Sequence, residues 1–221
     1  TGCTDQSAAN FDPMAFAGAY ECSYDFTEEF NSPISLKSFY SIDDQDNSIS
    51  NVMETLPMCY EVIGEGEASS LHPVLGWIGS SSNIEREKGY WVKCLEDDVY
   101  EHFDGSPNRT DMTYDVHEGA NLVSYSGPIC TSVEEVMPEE SSCYSVIGQG
   151  LATTYNPALG WIGSLTEFCP WEGYWLKCSD SEQFAYQGHG ALPRENKQTI
   201  PIPEEFTFAQ STQQAFYFIE D

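Results

Sequence analysis

Apolar residues alternate with polar or small ones through most of this chain, and helical spacing is confined to two short stretches. SLKSFYSI (35–42) and NLVSYSG (121–127) place β-branched and aromatic residues at strand-like intervals. CYEVIG (59–64) and CYSVIG (143–148) read as strands that end at glycines. LGWIGS (75–80 and 159–164) and GYWVK or GYWLK (89–93 and 173–177) alternate a large apolar residue with a small or polar one, as half-buried strands do. SISNVMETL (48–56) and TSVEEVMP (131–138) read as one short helix each. In the second, Ser132 and Glu135 have capping-box spacing and Pro138 stops the helix. The expectation is a mainly β protein of α+β character.

The pattern occurs twice. Residues 59–94 align without a gap on residues 143–178, and 19 of the 36 positions are identical. A duplicated unit follows. Upstream the match continues with a two-residue slip, LKSF (36–39) against LVSY (122–125). Two copies are too few for a solenoid, so two tandem small β-rich domains are expected. The expected division is an N-terminal cysteine segment (1–30), repeat one (31–105), a linker (106–117), repeat two (118–190) and a proline-containing linker with a C-terminal strand segment (191–221).

Eight cysteines without a C-x-x-C spacing read as four disulfides rather than zinc ligands. Cys59 and Cys94 recur as Cys143 and Cys178, so each pair most simply closes its own repeat. Cys130 and Cys169 stand where repeat one has Asp46 and Glu85; two cysteines gained together in one copy are expected to bond each other. Cys3 with Cys22 remains. Such staples suit small domains secreted into an oxidising compartment. The chain starts at Thr1 with no basic, apolar leader, so either a leader was removed or the chain belongs to a longer polypeptide.

Composition narrows the function classes. Eight Lys and Arg against 36 Asp and Glu give a net charge of −28. Nucleic acid and anionic membranes are therefore not expected as partners, since both need clustered cations. No apolar run is long enough for a membrane-spanning helix, so no membrane insertion is expected. The histidines at 72, 102, 117 and 189 lack ligand spacing, and no nucleophile elbow or dinucleotide fingerprint is present. No enzymatic activity and no required cofactor are expected.

Three sets of residues carry other chemistry. Trp77, Trp91, Trp161 and Trp175 recur between the copies and read either as core or as platforms for stacking sugars. Asp44, Asp46 and Ser48 have the alternate spacing of a calcium loop, although Ile49 and Thr55 exclude an EF-hand. Asp5, Asn10 and Asp12 form a second calcium candidate, and a solvated acidic loop is the other reading of both. Asn108-Arg109-Thr110 is the one N-glycosylation acceptor spacing. Lys93 and Lys177 recur and are expected to neutralise nearby carboxylates. Finally, Phe206, Phe208, Phe216, Tyr217, Phe218 and Ile219 follow the prolines of IPIPEEF. They are expected to add as a strand to a sheet, in a neighbouring subunit or in the same chain.

Two resemblances bear on this. Residues 2–24 resemble a GCTDPxAxNYxPxAxxxDGSCxY motif widespread in secreted and cell-surface proteins of Bacteroidetes and related marine bacteria, often exported by type IX secretion. Gly2, Cys3, Thr4, Asp5, Ala8, Asn10, Pro13, Ala15, Cys22 and Tyr24 match, whereas Gly18-Ala19-Tyr20-Glu21 replaces the acidic segment. The repeats resemble a module of large extracellular proteins from the same organisms, through Ala120–Tyr125, Val62–Gly66, Gly89–Lys93 and Gly173–Lys177. The tail FTFAQSTQQAFYFIED resembles the opening strands of a further module. The resemblance implies a secreted, multidomain structural or adhesive protein without enzymatic activity. The expected function is thus a subunit or segment of a surface fibre or filament, partnered by its own kind or by neighbouring modules. A carbohydrate-binding module using the repeated aromatics is the alternative.

Overall fold

The structure is a computed structural model that describes residues 14, 24–43 and 45–188, apart from the side chains of residues 24 and 102–105. The described residues all belong to one compact unit, residues 1–189. It is mainly β, 48% strand and 7% helix, as the alternation predicts.

Repeat one runs β1 (Tyr24–Phe30), β2 (Ile34–Ser38), β3 (Ser41–Ile42), α1 (Ile49–Val52), β4 (Cys59–Ile63), β5 (Ala68–His72), β6 (Gly76–Gly79), β7 (Gly89–Cys94) and β8 (Asp98–Pro107). Repeat two runs β9 (Tyr114–Val116), β10 (Gly119–Val123), β11 (Thr131–Ser132), α2 (Val133–Val136), β12 (Cys143–Ile147), β13 (Ala152–Asn156), β14 (Gly160–Gly163), β15 (Glu167–Phe168), β16 (Tyr174–Cys178) and β17 (Glu182–Phe184). Each repeat forms a five-stranded antiparallel sheet of the same order, β2-β7-β4-β5-β6 and β10-β16-β12-β13-β14. Repeat one adds a three-stranded sheet, β1-β8-β3, and repeat two adds two strand pairs, β9 with β17 and β11 with β15.

Register follows side-chain chemistry. Along β7, Tyr90, Val92 and Cys94 are buried in the core, while Trp91 and Lys93 are only partly buried. One residue of slip would put Lys93 inside, so the core fixes the pairing. Cys59 lies opposite Cys94 and Cys143 opposite Cys178, each beside an irregularity in the ladder. Phe39, Tyr90 and Val92 fill one core, and their counterparts Tyr125, Tyr174 and Leu176 fill the other. Each fully buried apolar side chain contributes about 1.5–3 kcal/mol.

Both helices are shorter than their sequence stretches. α1 gives way to a 3-10 turn at Met53–Thr55. Ser48 and Ser132 cap the two helices, their hydroxyls accepting the Asn51 and Glu135 amides. SLKSFYSI is broken at Phe39 and Tyr40, whose rings turn into the core, so β2 and β3 are separate strands.

Candidate functional site

The contact between the repeats is built from equivalent residues of both copies. Lys37 bridges to Glu172, and Lys88 to Val123, as strand partners. Under the 84- and 86-residue offsets these two bridges are the same contact with the copies exchanged. The amide of Ser38 donates to the Trp171 carbonyl at 2.7 Å, and that of Ser124 to the Glu87 carbonyl at 2.9 Å. Such reciprocity is the signature of a two-fold, isologous contact. The open edges of β2 and β10 are thus partly paired by the opposite repeat.

Glycines allow this approach. A Cβ on Gly89 would lie 2.9 Å from the Val123 carbonyl oxygen and 3.2 Å from Gly173 Cα. A Cβ on Gly173 would lie 2.9 Å from the Lys37 carbonyl oxygen. The glycine that opens each GYW strand is therefore a packing requirement at the dyad.

The turns after β4 and β12 supply a latch. Gly66 and Gly150 have φ of 71° and 75°, which turns the chain and projects the preceding side chain across the contact. Gln149 Oε1 accepts the Leu36 amide at 2.8 Å, and its Nε2 donates to the Ile34 carbonyl at 3.3 Å. The amide thereby imitates a strand partner. Glu65, its counterpart, accepts the Leu122 amide at 2.8 Å but has no proton to donate. Its other oxygen takes His117 Nε2 at 2.6 Å, while His117 Nδ1 meets the Glu118 carbonyl at 2.7 Å. Both ring nitrogens face acceptors, which favours the imidazolium. The Glu118 carbonyl and then Glu65 hold the His117 pKa above its ordinary value.

A cleft of about 570 Å3 lies here, lined by Glu65, Glu85, Glu87, Asp115, His117 and Lys88 among others. Lys88 Nζ reaches Glu67 at 3.1 Å and Glu85 at 3.0 Å. Elsewhere on the contact Lys37, 5% exposed, holds its ammonium 2.6 Å from Glu28 and 2.8 Å from Glu172. Burial lowers the Lys37 pKa, but Glu172 and Glu28 outweigh it and the net direction is up. Trp171 adds an asymmetric anchor. It is the one described non-glycine residue with positive φ, 70°, and its ring packs on Phe26, Tyr40 and Tyr100 of repeat one. Strain of about 1–3 kcal/mol is offset by an indole only 7% exposed.

The residues singled out from the sequence fall as follows. Cys59–Cys94, Cys130–Cys169 and Cys143–Cys178 are bonded. Cys3 and Cys22 lie outside the described residues, as do Asp5, Asn10, Asp12, Asp44, Phe206, Phe208, Phe216, Tyr217, Phe218 and Ile219. Asp46 Oδ1 accepts the Ser48 amide at 3.0 Å, and Ser48 caps α1, so both build a turn into the helix. The Ser48 hydrogen bonds lower the Asp46 pKa. Among the described residues no group of three His, Cys, Asp or Glu side chains is placed to hold a metal ion. All four repeated tryptophans are half-buried: Trp77 and Trp161 pack against the two cores, while Trp91 and Trp175 lie on the opposite sheet faces. Lys93 pairs with Glu61 at 2.7 Å; at the equivalent position beside Lys177 stands Ser145. Asn108 is 4% exposed, and its side-chain oxygen accepts from Arg86.

Sequence reasoning passed over Lys37, Glu65, Gln149, Trp171 and the two GYW glycines. The one available signal was that Gly64-Glu65-Gly66 and Gly148-Gln149-Gly150 keep their glycines around a long acceptor side chain. No protein-family model, curated protein or solved structure matches the chain.

Proposed function

We propose that this chain is an extracellular structural or adhesive protein, a subunit or segment of a surface fibre or filament. The observation that carries the reading is the isologous contact. Two small cores, each closed by its own disulfide, are joined through backbone pairing, glycine packing and a buried ion pair. Such a body resists extension, because its staples limit how far each repeat can open and the dyad couples one repeat to the other.

The three disulfides among the described residues suit an oxidising, extracellular-type environment. No helix among the described residues is long and apolar enough to cross a membrane. The resemblance of residues 2–24 and of both repeats to secreted surface proteins points the same way. Partners on this reading are further copies of the chain or neighbouring modules. Immunogold labelling with negative-stain microscopy of intact source cells tests it. Label along external fibres is expected; label confined to the cytosol overturns the proposal.

A second reading draws on Trp91 and Trp175, half-buried and alternating with core residues along β7 and β16, so that they lie on the sheet faces turned away from the cores. Equivalent rings on equivalent faces suit stacking of a neutral glycan. Glycan-array binding that is lost in Trp91→Ala and Trp175→Ala with unchanged melting supports it, and absence of binding removes it.

A further inference from the structure

The two five-stranded sheets end on β6 and β14, each with one strand neighbour among the described residues. Both are edge strands four places from the inter-repeat contact, about 19 Å away at 4.8 Å per strand. An edge strand presents a row of backbone donors and acceptors that invites another strand, and proteins ordinarily protect it with charge, proline or a covering element. The strands themselves carry no such charge, and the carboxylate brought against them is that of Glu134 in α2, whose Oε1 would lie 3.8 Å from a Cβ on Gly160 at the start of β14. Residues 68–84 and 150–166, which contain both hairpins, include no Asp, Glu, Lys or Arg, in a chain where one residue in five is charged. Apolar side chains stand exposed there in both copies: Ile78 48% and Ile162 50%, with Leu75 70% and Leu159 74% at the hairpin tips. The tips are held in shape by the same device, since His72 Nδ1 accepts the Val74 and Leu75 amides and Asn156 Oδ1 accepts that of Ala158. Gly76–Gly79 and Gly160–Gly163 are identical in sequence.

We infer that β6 and β14 are docking edges for further copies of this chain, which pair with them antiparallel, edge to edge. Charge selects this occupant. A net charge of −28 makes copies repel almost everywhere, so they approach most readily through the strips of surface whose own residues carry no charge. Identical strands on the two edges are complementary to one another and to themselves. A body with two equivalent edges is bivalent, so the contact propagates from copy to copy. The inference rests on the proposed fibre role and names the surface and partner that build it.

Sedimentation velocity of the full chain in 0.5 M NaCl tests it, since this salt screens surface charge to a few ångströms. The variants are Ile78→Lys, Ile162→Lys, the double variant, and Leu95→Lys as a control 73% exposed on a loop away from either edge. Each lysine reduces the net negative charge, so charge alone favours association and works against the expected result. Wild type and Leu95→Lys should form concentration-dependent polymers. Each single edge variant should stop at dimers, and the double variant should be monomeric, with a urea midpoint like that of wild type. A double variant that polymerises like wild type overturns the docking edges and leaves the fibre role standing. Wild type that stays monomeric at every concentration overturns both.

Discussion

Replacing Gly89 or Gly173 with alanine probes the dyad. Neither glycine has positive φ, so space rather than backbone freedom decides the outcome. At Gly89 the new methyl would sit 2.9 Å from both the Val123 carbonyl oxygen and Leu122 Cδ1. At Gly173 it would sit 2.9 Å from the Lys37 carbonyl oxygen. Ordinary contact begins about half an ångström further out, and the backbone oxygens belong to β2 and β10, which cannot shift alone. Overpacking of this kind costs about 1–3 kcal/mol. Alanine recovers about 0.4–1 kcal/mol by restricting the unfolded chain. Each substitution should therefore destabilise by about 1–2 kcal/mol. Because the Gly89 methyl also meets Gly173 Cα at 3.2 Å, one opening of the contact relieves both sites. The double variant should fall short of additivity by about 0.5 kcal/mol or more. Gly76→Ala, with φ of 74° and no atom within 4 Å, is a control whose cost should add to either. Urea unfolding followed by tryptophan fluorescence measures all four. Losses below about 0.3 kcal/mol for both single variants, or strict additivity in the pair, would refute the packing argument.

Removing the Cys59–Cys94 bridge by paired serines should cost about 3–4 kcal/mol, from a sequence separation of 35 on the chain-entropy estimate; an unchanged urea midpoint contradicts it. Lys37→Met should cost about 2–3 kcal/mol, less than a fully buried pair would, because Glu28 and Glu172 keep side-chain exposures of 25% and 37%. A loss below about 1 kcal/mol would mean that the ammonium does not hold the repeats together. His117 has a raised folded pKa, so its contribution is fully present below the ordinary value of 6.5 and fades as pH rises through the folded value. The difference in urea midpoint between wild type and His117→Asn should shrink from pH 5.5 to 8.5, and a flat difference removes the latch from the pH response.

What the sequence revealed and what it hid divide along a physical line. Alternation is a property of neighbouring residues, so GYWVKC and CYEVI announced their strands and their inward faces. Duplication exposed the bridges, because Cys59 and Cys94 return together as Cys143 and Cys178. The contact between repeats is a property of residues far apart in the chain. Lys37 has no basic counterpart, since Val123 takes its place, and its partners Glu28 and Glu172 are two among 36 acids. Trp171 replaces Glu87, so the duplication gives it no aromatic counterpart, yet it enters the core of the other repeat. Glu65 and Gln149 stand in a Gly-x-Gly spacing that names no partner, because the strand each satisfies belongs to the opposite copy. Phe39 and Tyr40 interrupt an otherwise strand-like run because the core draws their rings inward, which alternation alone does not record.

Differential scanning calorimetry of the oxidised full chain asks most directly whether the duplicated repeats behave as one body. Coupling through Lys37, the Glu65 and Gln149 latches and the Gly89–Gly173 packing predicts that both repeats melt in a single transition. The calorimetric and van't Hoff enthalpies should agree, and Lys37→Met should move the whole transition down. Two resolved transitions, with Lys37→Met shifting only one or neither of them, would contradict the account.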